Sequence, residues 1–374
     1  MIDREALVAE FCDLVRTDSL SGCEGAVMDL VAAKLDALGL SSTRDKAAEA
    51  IGGETGNLIA KLPATDPERP AIMLNAHVDT VQPGRGVVPV IEGDAIRSAG
   101  ETVLGADDKA GVAVILAAVR ELLTTPISHG EVQVVFTVAE EIGLYGAQHL
   151  DYSLVSPDYA FVLDGGAQVG ELTVGAPSAV KMTWRVQGVA THAGVHPERG
   201  TNAIQIAAQA IANMRMGRLD EETTANIGRI DGGLARNIVP DRCEVWGEAR
   251  SHDESKLEAQ VAHMRECFRA AAAAYPEARV EDQVEASYRR FRLTEEDEVV
   301  RVAMTAATNL GHTPVLKIGG GGSDANVFNE RGIPAIICAC GAQGAHSTAE
   351  TASISAMAAA AEWLVEMVRV SGQR

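Results

Sequence analysis

The chain reads as an α/β protein into which a second, ferredoxin-like βαββαβ domain is inserted. Three observations predict this. Helical and strand periods alternate through the first 176 residues. Two apolar runs there, 132–138 and 159–163, are unbroken, as in strands covered on both faces. Between 177 and 287 the order becomes strand, helix, two strands, helix, strand, after which the first rhythm returns. Residues 1–176 and 288–374 are therefore expected to form one mixed-sheet domain, and residues 177–287 a separate one.

Residues 4–17 and 24–38 carry helical patterns, the second stopped by Gly39. Strands are expected at 57–62 and 71–74. The segments 87–91 and 95–98 flank Glu92-Gly93-Asp94, a hairpin signal. Residues 109–123 are rich in Ala, Val and Leu and predict a buried helix. In the inserted segment, 179–188 alternates with Lys181, Thr183 and Arg185 on one side. Helix 202–214, strands 223–230 and 242–250, helix 254–274 and strand 279–286 follow. The chain then gives helix 296–310, a short helix 324–331 after the glycine run 319–322, strand 334–340 and helix 353–370.

A length of 374 residues suits two cores better than one. With 47% hydrophobic and 22% charged residues, a disordered polyelectrolyte is excluded. The net charge of −20 argues against nucleic acid or an anionic membrane as partner. The opening MIDREALVAEFCDLV lacks the basic and apolar regions of a signal peptide. No apolar run reaches the roughly 18 residues of a membrane span. Cysteines 12, 23, 243, 267, 338 and 340 show no Cys-x-x-Cys spacing and read as free, buried thiols, with the cytoplasm as the expected compartment.

The chemistry concentrates at strand ends, where open α/β sheets bind ligands. His77 and Asp79 follow strand 71–74. Glu140 and Glu141 follow 132–138. Asp164 follows 159–163, and His346 lies a short loop after 334–340. Asp107 and Asp108 open the helix near Lys109. Singly, each has an ordinary explanation: a helix cap for either aspartate, a turn for Asp164, a solvated strand end for the glutamates. Their convergence on one sheet edge does not. Two imidazoles with several carboxylates suit zinc, manganese or cobalt rather than a calcium or magnesium cage. The carboxylates outnumber the needs of one tetrahedral ion, so two ions sharing a carboxylate use the set better.

The motifs Asn75-Ala-His-Val-Asp-Thr80, Gly105-Ala-Asp-Asp-Lys-Ala-Gly111, Ala139-Glu-Glu-Ile-Gly143, Asp164-Gly-Gly166 and Ala345-His-Ser347 occur in this order. With them the chain resembles the di-zinc exopeptidases: peptidase T, glutamate-releasing carboxypeptidases, and acetylornithine and succinyl-diaminopimelate deacylases. The segments around Asp107 and Glu140 look closest to the peptidase T branch. The resemblance implies a catalytic domain at 1–176 and 288–374 and a lid or dimerisation domain at 177–287. It implies two divalent ions, zinc first with cobalt or manganese as alternatives. His77 and His346 become terminal ligands, and Asp107 the bridge. Asp164 joins His77, and Glu141 joins His346. Glu140 becomes the general base, and Asp79 the group that orients His77.

The resemblance extends to the lid. Thr191-His-Ala-Gly194 makes His192 an oxyanion contact, Arg236-Asn-Ile-Val-Pro240 makes Asn237 a substrate contact, and Arg250 a partner for a substrate carboxylate. Gly319–Gly322 reads as channel lining, not a phosphate loop. A free substrate amine needs an acidic or carbonyl partner, and Asp324 and Glu350 are candidates. The expected activity is metal-dependent hydrolysis of small peptides, with deacylation of acylated amino acids or carboxypeptidase action as alternatives within the family. A homodimer through the lid is a further implication. A metal-binding scaffold without catalysis is the reading from another class, and no damaged ligand or base supports it.

Overall fold

The computed structural model describes residues 2–373. The chain divides into two units, one running to Ala176 and resuming at Phe291, the other spanning Pro177–Arg290.

The first unit is built on an eight-stranded mixed sheet. Its strands lie in the order Ser42–Arg44, Leu58–Leu62, Val132–Thr137, Ile72–His77, Tyr159–Gly165, Ala335–Ala339, Glu171–Thr173 and Val315–Lys317. The four strands from Val132–Thr137 to Ala335–Ala339 run parallel, so their carboxyl ends share one edge. Their largely apolar content, interrupted only by residues such as Gln133 and Asn75 that are themselves buried, fits burial on both faces. Register on that edge sets His77 opposite Thr137 and Ala339 opposite Gly165.

Helix Ala106–Thr124 packs against Ile72–His77 and Tyr159–Gly165, and helices Arg4–Arg16 and Ile354–Val370 pack on it in turn. The Ala–Val–Leu sequence of Ala106–Thr124 is buried almost all round, which is why it shows no clear amphipathic stripe. Asp3 caps the first helix, its carboxylate accepting the Ala6 N–H at 3.0 Å.

Two differences from the sequence reading bear on function. The strand expected at 71–74 runs on to His77, and the one at 159–163 runs on through Asp164. A parallel neighbour on one side extends each ladder beyond the apolar run, Thr137 opposite His77 and Ala339 opposite Gly165. Both residues are thus fixed by the sheet itself. The hairpin forms as Pro89–Glu92 and Ala95–Ser98, and Thr351–Ser353 adds to it, a pairing no local pattern signals. Of the six cysteines, all free, Cys23 is exposed and the other five are buried.

The second unit is an antiparallel five-stranded sheet, in the order Gly217–Arg218, Thr223–Gly232, Arg242–Ser251, Ser178–Gln187, Arg279–Tyr288. Helices Ala203–Ala212 and Glu254–Ala273 pack on it. Met182, Trp184 and Val186 point into its core while Lys181 and Arg185 stay outside, as the alternation demands. Trp184 stacks on Phe268 with ring centroids 4.7 Å apart.

Candidate active site

The edge formed by the four parallel strands gathers His77, Asp107, Glu140, Glu141, Asp164 and His346 in one place. His77 ends its strand with its side chain only 2% exposed. Its Nε2 lies 3.1 Å from Asp107 Oδ1 and 3.9 Å from Asp164 Oδ1. The other Asp107 oxygen, Oδ2, lies 3.4 Å from His346 Nε2. That same Nε2 is 2.8 Å from Glu141 Oε2. Asp107 therefore turns one oxygen to each histidine.

Asp107 and Asp108 both leave helical φ/ψ, so the regular helix begins after them. Asp108 caps it, its Oδ1 accepting the Gly111 N–H three residues on, whereas Asp107 turns its oxygens to the two histidines. Asp108 approaches His77 and Asp164 closely enough to share a cation with them. Its oxygens, however, accept backbone N–H groups, Oδ2 from His77 at 3.2 Å and Oδ1 from Gly111 at 3.2 Å. Asp107 has both oxygens turned to imidazoles.

The Glu140-Glu141 pair is set by its backbone. Four successive N–H groups each end on a buried side-chain acceptor. Val138 donates to Asn57 Oδ1 at 3.2 Å and Ala139 to Glu24 Oε1 at 3.0 Å. Glu140 donates to Asp79 Oδ1 at 3.0 Å and Glu141 to Asp79 Oδ2 at 3.2 Å. Ala139 takes φ 51°, and the Glu140 carbonyl accepts from Gly143 and Leu144, so the chain turns here instead of continuing extended. The turn separates the two carboxylates: Glu141 meets His346, and Glu140 stays 8% exposed beside them. Asp79 thus does more than orient His77. Its carboxylate holds the two glutamates and accepts from Ser21 Oγ, while the shorter contact of His77 Nδ1 is with its backbone carbonyl at 3.0 Å.

The cluster is electrostatically short of positive charge. Burial opposes a charged His77, yet hydrogen bonds to Asp107 and Asp79 outweigh it and raise its pKa well above the usual imidazole value. Hydrogen bonding to Glu141 lifts His346 to about 9. Burial, then repulsion by Asp107, pushes Asp164 up to about 8. Burial also raises Glu140 well above the carboxylate range; His77 opposes this, while Asp164, Asp324 and Glu141 add to it. Protons here do what divalent cations would do better. The spacing fits as well. Donor atoms about 2.0–2.1 Å from one tetrahedral ion lie roughly 3.3 Å apart, and the contacts above bracket that value. Residues His77, Asp164 and Asp107 suit one ion, and His346, Glu141 and Asp107 a second. A cavity of about 460 Å³ opens against Asp107 and Asp164 and is lined further by Gln168, Glu171 and Gln343.

Asp324 and Glu350 do not present themselves to a substrate amine. They are 1% and 2% exposed. Asp324 accepts from Thr137 Oγ1, and both Glu350 oxygens accept backbone N–H groups. On the inserted unit, His192 and Asn237 are exposed and adjacent, with Ala193 N donating to Asn237 O at 3.0 Å and His192 bridging Ile238. Arg250 lies elsewhere on that sheet, its guanidinium forked onto Glu248 at 3.1 and 3.0 Å. The sequence reading missed Glu24. As an acid opening an apolar helix it looks like a cap, yet it makes no capping bond and reaches Ala139 instead.

A parallel-sheet edge with two histidines about one carboxylate, and a buried glutamate beside it, suits the class of two-metal hydrolases. Comparison with known proteins narrows this. Residues 57–167 match the model of peptidase family M28, and residues 174–276 that of the M20 peptidase dimerisation domain. The chain is 40% identical to the uncharacterized protein YqjE of Bacillus subtilis, over 98% of this chain and 99% of that one. It is 42% identical to the aminopeptidase PepT of Bacillus cereus, covering 98% of both chains with a TM-score of 0.86. A tripeptidase structure from Staphylococcus aureus matches at 38% identity over 99% of both chains, with a TM-score of 0.92. The chain belongs to the peptidase T-like branch of the M20 metallopeptidases.

Proposed function

We propose that the protein is an aminopeptidase that removes the N-terminal residue of small peptides, tripeptides foremost. The observation that carries this is the two-sided Asp107, with one oxygen to His77 and the other to His346. It suits a pair of divalent ions, zinc in our reading. The names of the PepT and tripeptidase relatives support the substrate class, and the 460 Å³ cavity matches a small ligand.

His77, Asp164 and Asp107 would hold one ion, His346, Glu141 and Asp107 the other. Metal ions bound there supply Lewis acidity to a water and to the scissile carbonyl. Glu140 accepts the proton of the attacking water and delivers it to the departing amine nitrogen. Its burial suits this double duty, because a carboxylate withdrawn from water holds a proton more readily than an exposed one. Asp79 keeps Glu140 off the ligand set by fixing its backbone, and it holds Glu141 and His77 in place. On the inserted unit, His192, Asn237 and Arg250 are proposed substrate contacts, supported for the first two by their exposure. The dimerisation-domain match supports a homodimer, and six free cysteines support a reducing, cytoplasmic setting.

The test is a panel of free tripeptides, peptides ending in glutamate, and N-acetyl amino acids, assayed with the protein loaded with Zn²⁺. Release of the first residue from free tripeptides, with blocked amines resisting, is expected. Cleavage of the acetylated substrates alone would replace this reading with deacylation.

A further inference from the structure

Glu350 lies four residues beyond His346 and takes no part in the mechanism above. Its carboxylate is 2% exposed and receives two backbone donors. Oε2 accepts the N–H of Gly105 at 2.7 Å, and Oε1 accepts that of Asp107 at 2.8 Å. Gly105 sits at φ 76°, in the left-handed region where a side chain is disfavoured, and leads directly into Asp107. At its other end Glu350 closes the His346 loop. Its own N–H donates to Ser347 O at 3.1 Å, and Ser347 Oγ donates to Gly344 O at 2.7 Å. Thr351 next to it is anchored in a strand opposite Arg97.

The two segments that Glu350 joins carry the shared carboxylate and the exposed histidine. Their sequence separation is over 230 residues, so no local structure ties them. His346 itself takes φ 62°, uncommon for a histidine, and its side chain is 57% exposed. The base of that loop is closed by pairing of Ala342–Gln343 with Thr351–Ala352, and Glu350 adds the tie to the Asp107 segment. A buried ionised carboxylate beside another anion is costly unless hydrogen bonds and cations offset it. Two N–H donors do part of this, and the buried Lys109 ammonium, whose charge interacts with Glu350, adds to it. A glutamine could not replace it, since one of the two N–H groups would face another donor.

We propose that Glu350 is a positioning residue of the metal centre, whose carboxylate ties the Asp107 segment to the His346 loop and so sets both faces of the shared ligand. The proposal rests on the metal-centre reading given above. It predicts a defect in metal binding and none in peptide binding.

The experiment titrates the metal-free full-length protein with Co²⁺, read by visible absorption and calorimetry, for wild type, Glu350→Gln and Glu350→Asp. Wild type is expected to take up two ions. A wild type that takes up none overturns the metal-centre reading and this proposal with it. Glu350→Gln is expected to bind Co²⁺ roughly 10- to 100-fold more weakly, the range for outer partners of metal ligands. Its absorption band should change, its kcat should return in excess metal, and its KM for tripeptide should stay at the wild-type value. Glu350→Asp keeps both acceptors and should regain part of the affinity. Wild-type Co²⁺ affinity in Glu350→Gln, or a rise in KM alone, overturns the proposal. If Glu350→Gln does not fold, Glu350→Asp decides: weaker Co²⁺ binding at unchanged KM supports it, and wild-type binding overturns it.

Discussion

The two histidines of the site are held in opposite ways. His77 is the last residue of a central strand, 2% exposed, with its ring gripped by Asp79 and Asp107. His346 rides a loop, 57% exposed, and meets Glu141 at 2.8 Å and Asp107 at 3.4 Å. The sheet makes one half of the site, and chain closure from the far end makes the other. The lesson is that Asp107 stands between a buried half and an exposed one. The buried half should retain its ion when the exposed half has lost its own.

Removing the base cuts across both halves and has the largest expected effect. Glu140→Gln should lower kcat by about 10²–10⁴-fold while elemental analysis still finds the full metal content. A matching loss of metal would show that Glu140 is a ligand after all. Next comes Asp79→Asn, which turns an amide donor toward the Glu140 and Glu141 N–H groups. Metal affinity should fall roughly 10- to 100-fold, measured by competition with a chelator dye.

Progressive chelation of the wild type sharpens the contrast directly. The His346 ring signals in histidine-selective NMR should move before those of His77. Simultaneous movement would mean the halves do not differ. The smallest effect concerns pH. Protons hold His346 up to about 9 and Asp164 up to about 8 in the metal-free protein. Both must leave when an ion binds. Apparent metal affinity should therefore rise from pH 7 toward 9, and calorimetry in buffers of different ionisation enthalpy should show proton release that shrinks over that range.

Much of the buried half was legible in the sequence, because a parallel sheet imposes a simple rule. Apolar runs end at one edge, and acids or imidazoles at those ends must meet. His77 and Asp164 follow from that rule, and so does Glu141, which serves the other half. What escaped depends on contacts between distant segments. Glu24 and Glu350 look like helix and loop acids, and only the folded chain shows them accepting from Ala139, Gly105 and Asp107. What parts the two adjacent glutamates is likewise visible only in the fold, where Ala139 at positive φ opens a turn. On the inserted unit, the order of strands and helices was readable from alternation, but Arg250 turned out to be engaged by Glu248. A residue type favoured for binding a carboxylate binds whichever carboxylate lies nearest.

The central claim is that Asp107 belongs to both halves. Its most direct test counts metal per chain by elemental analysis after gel filtration, for wild type, His346→Ala and Asp107→Ala. Two ions in wild type, one in His346→Ala and none in Asp107→Ala are predicted. Two ions retained by Asp107→Ala, or a single ion in wild type, would contradict the account.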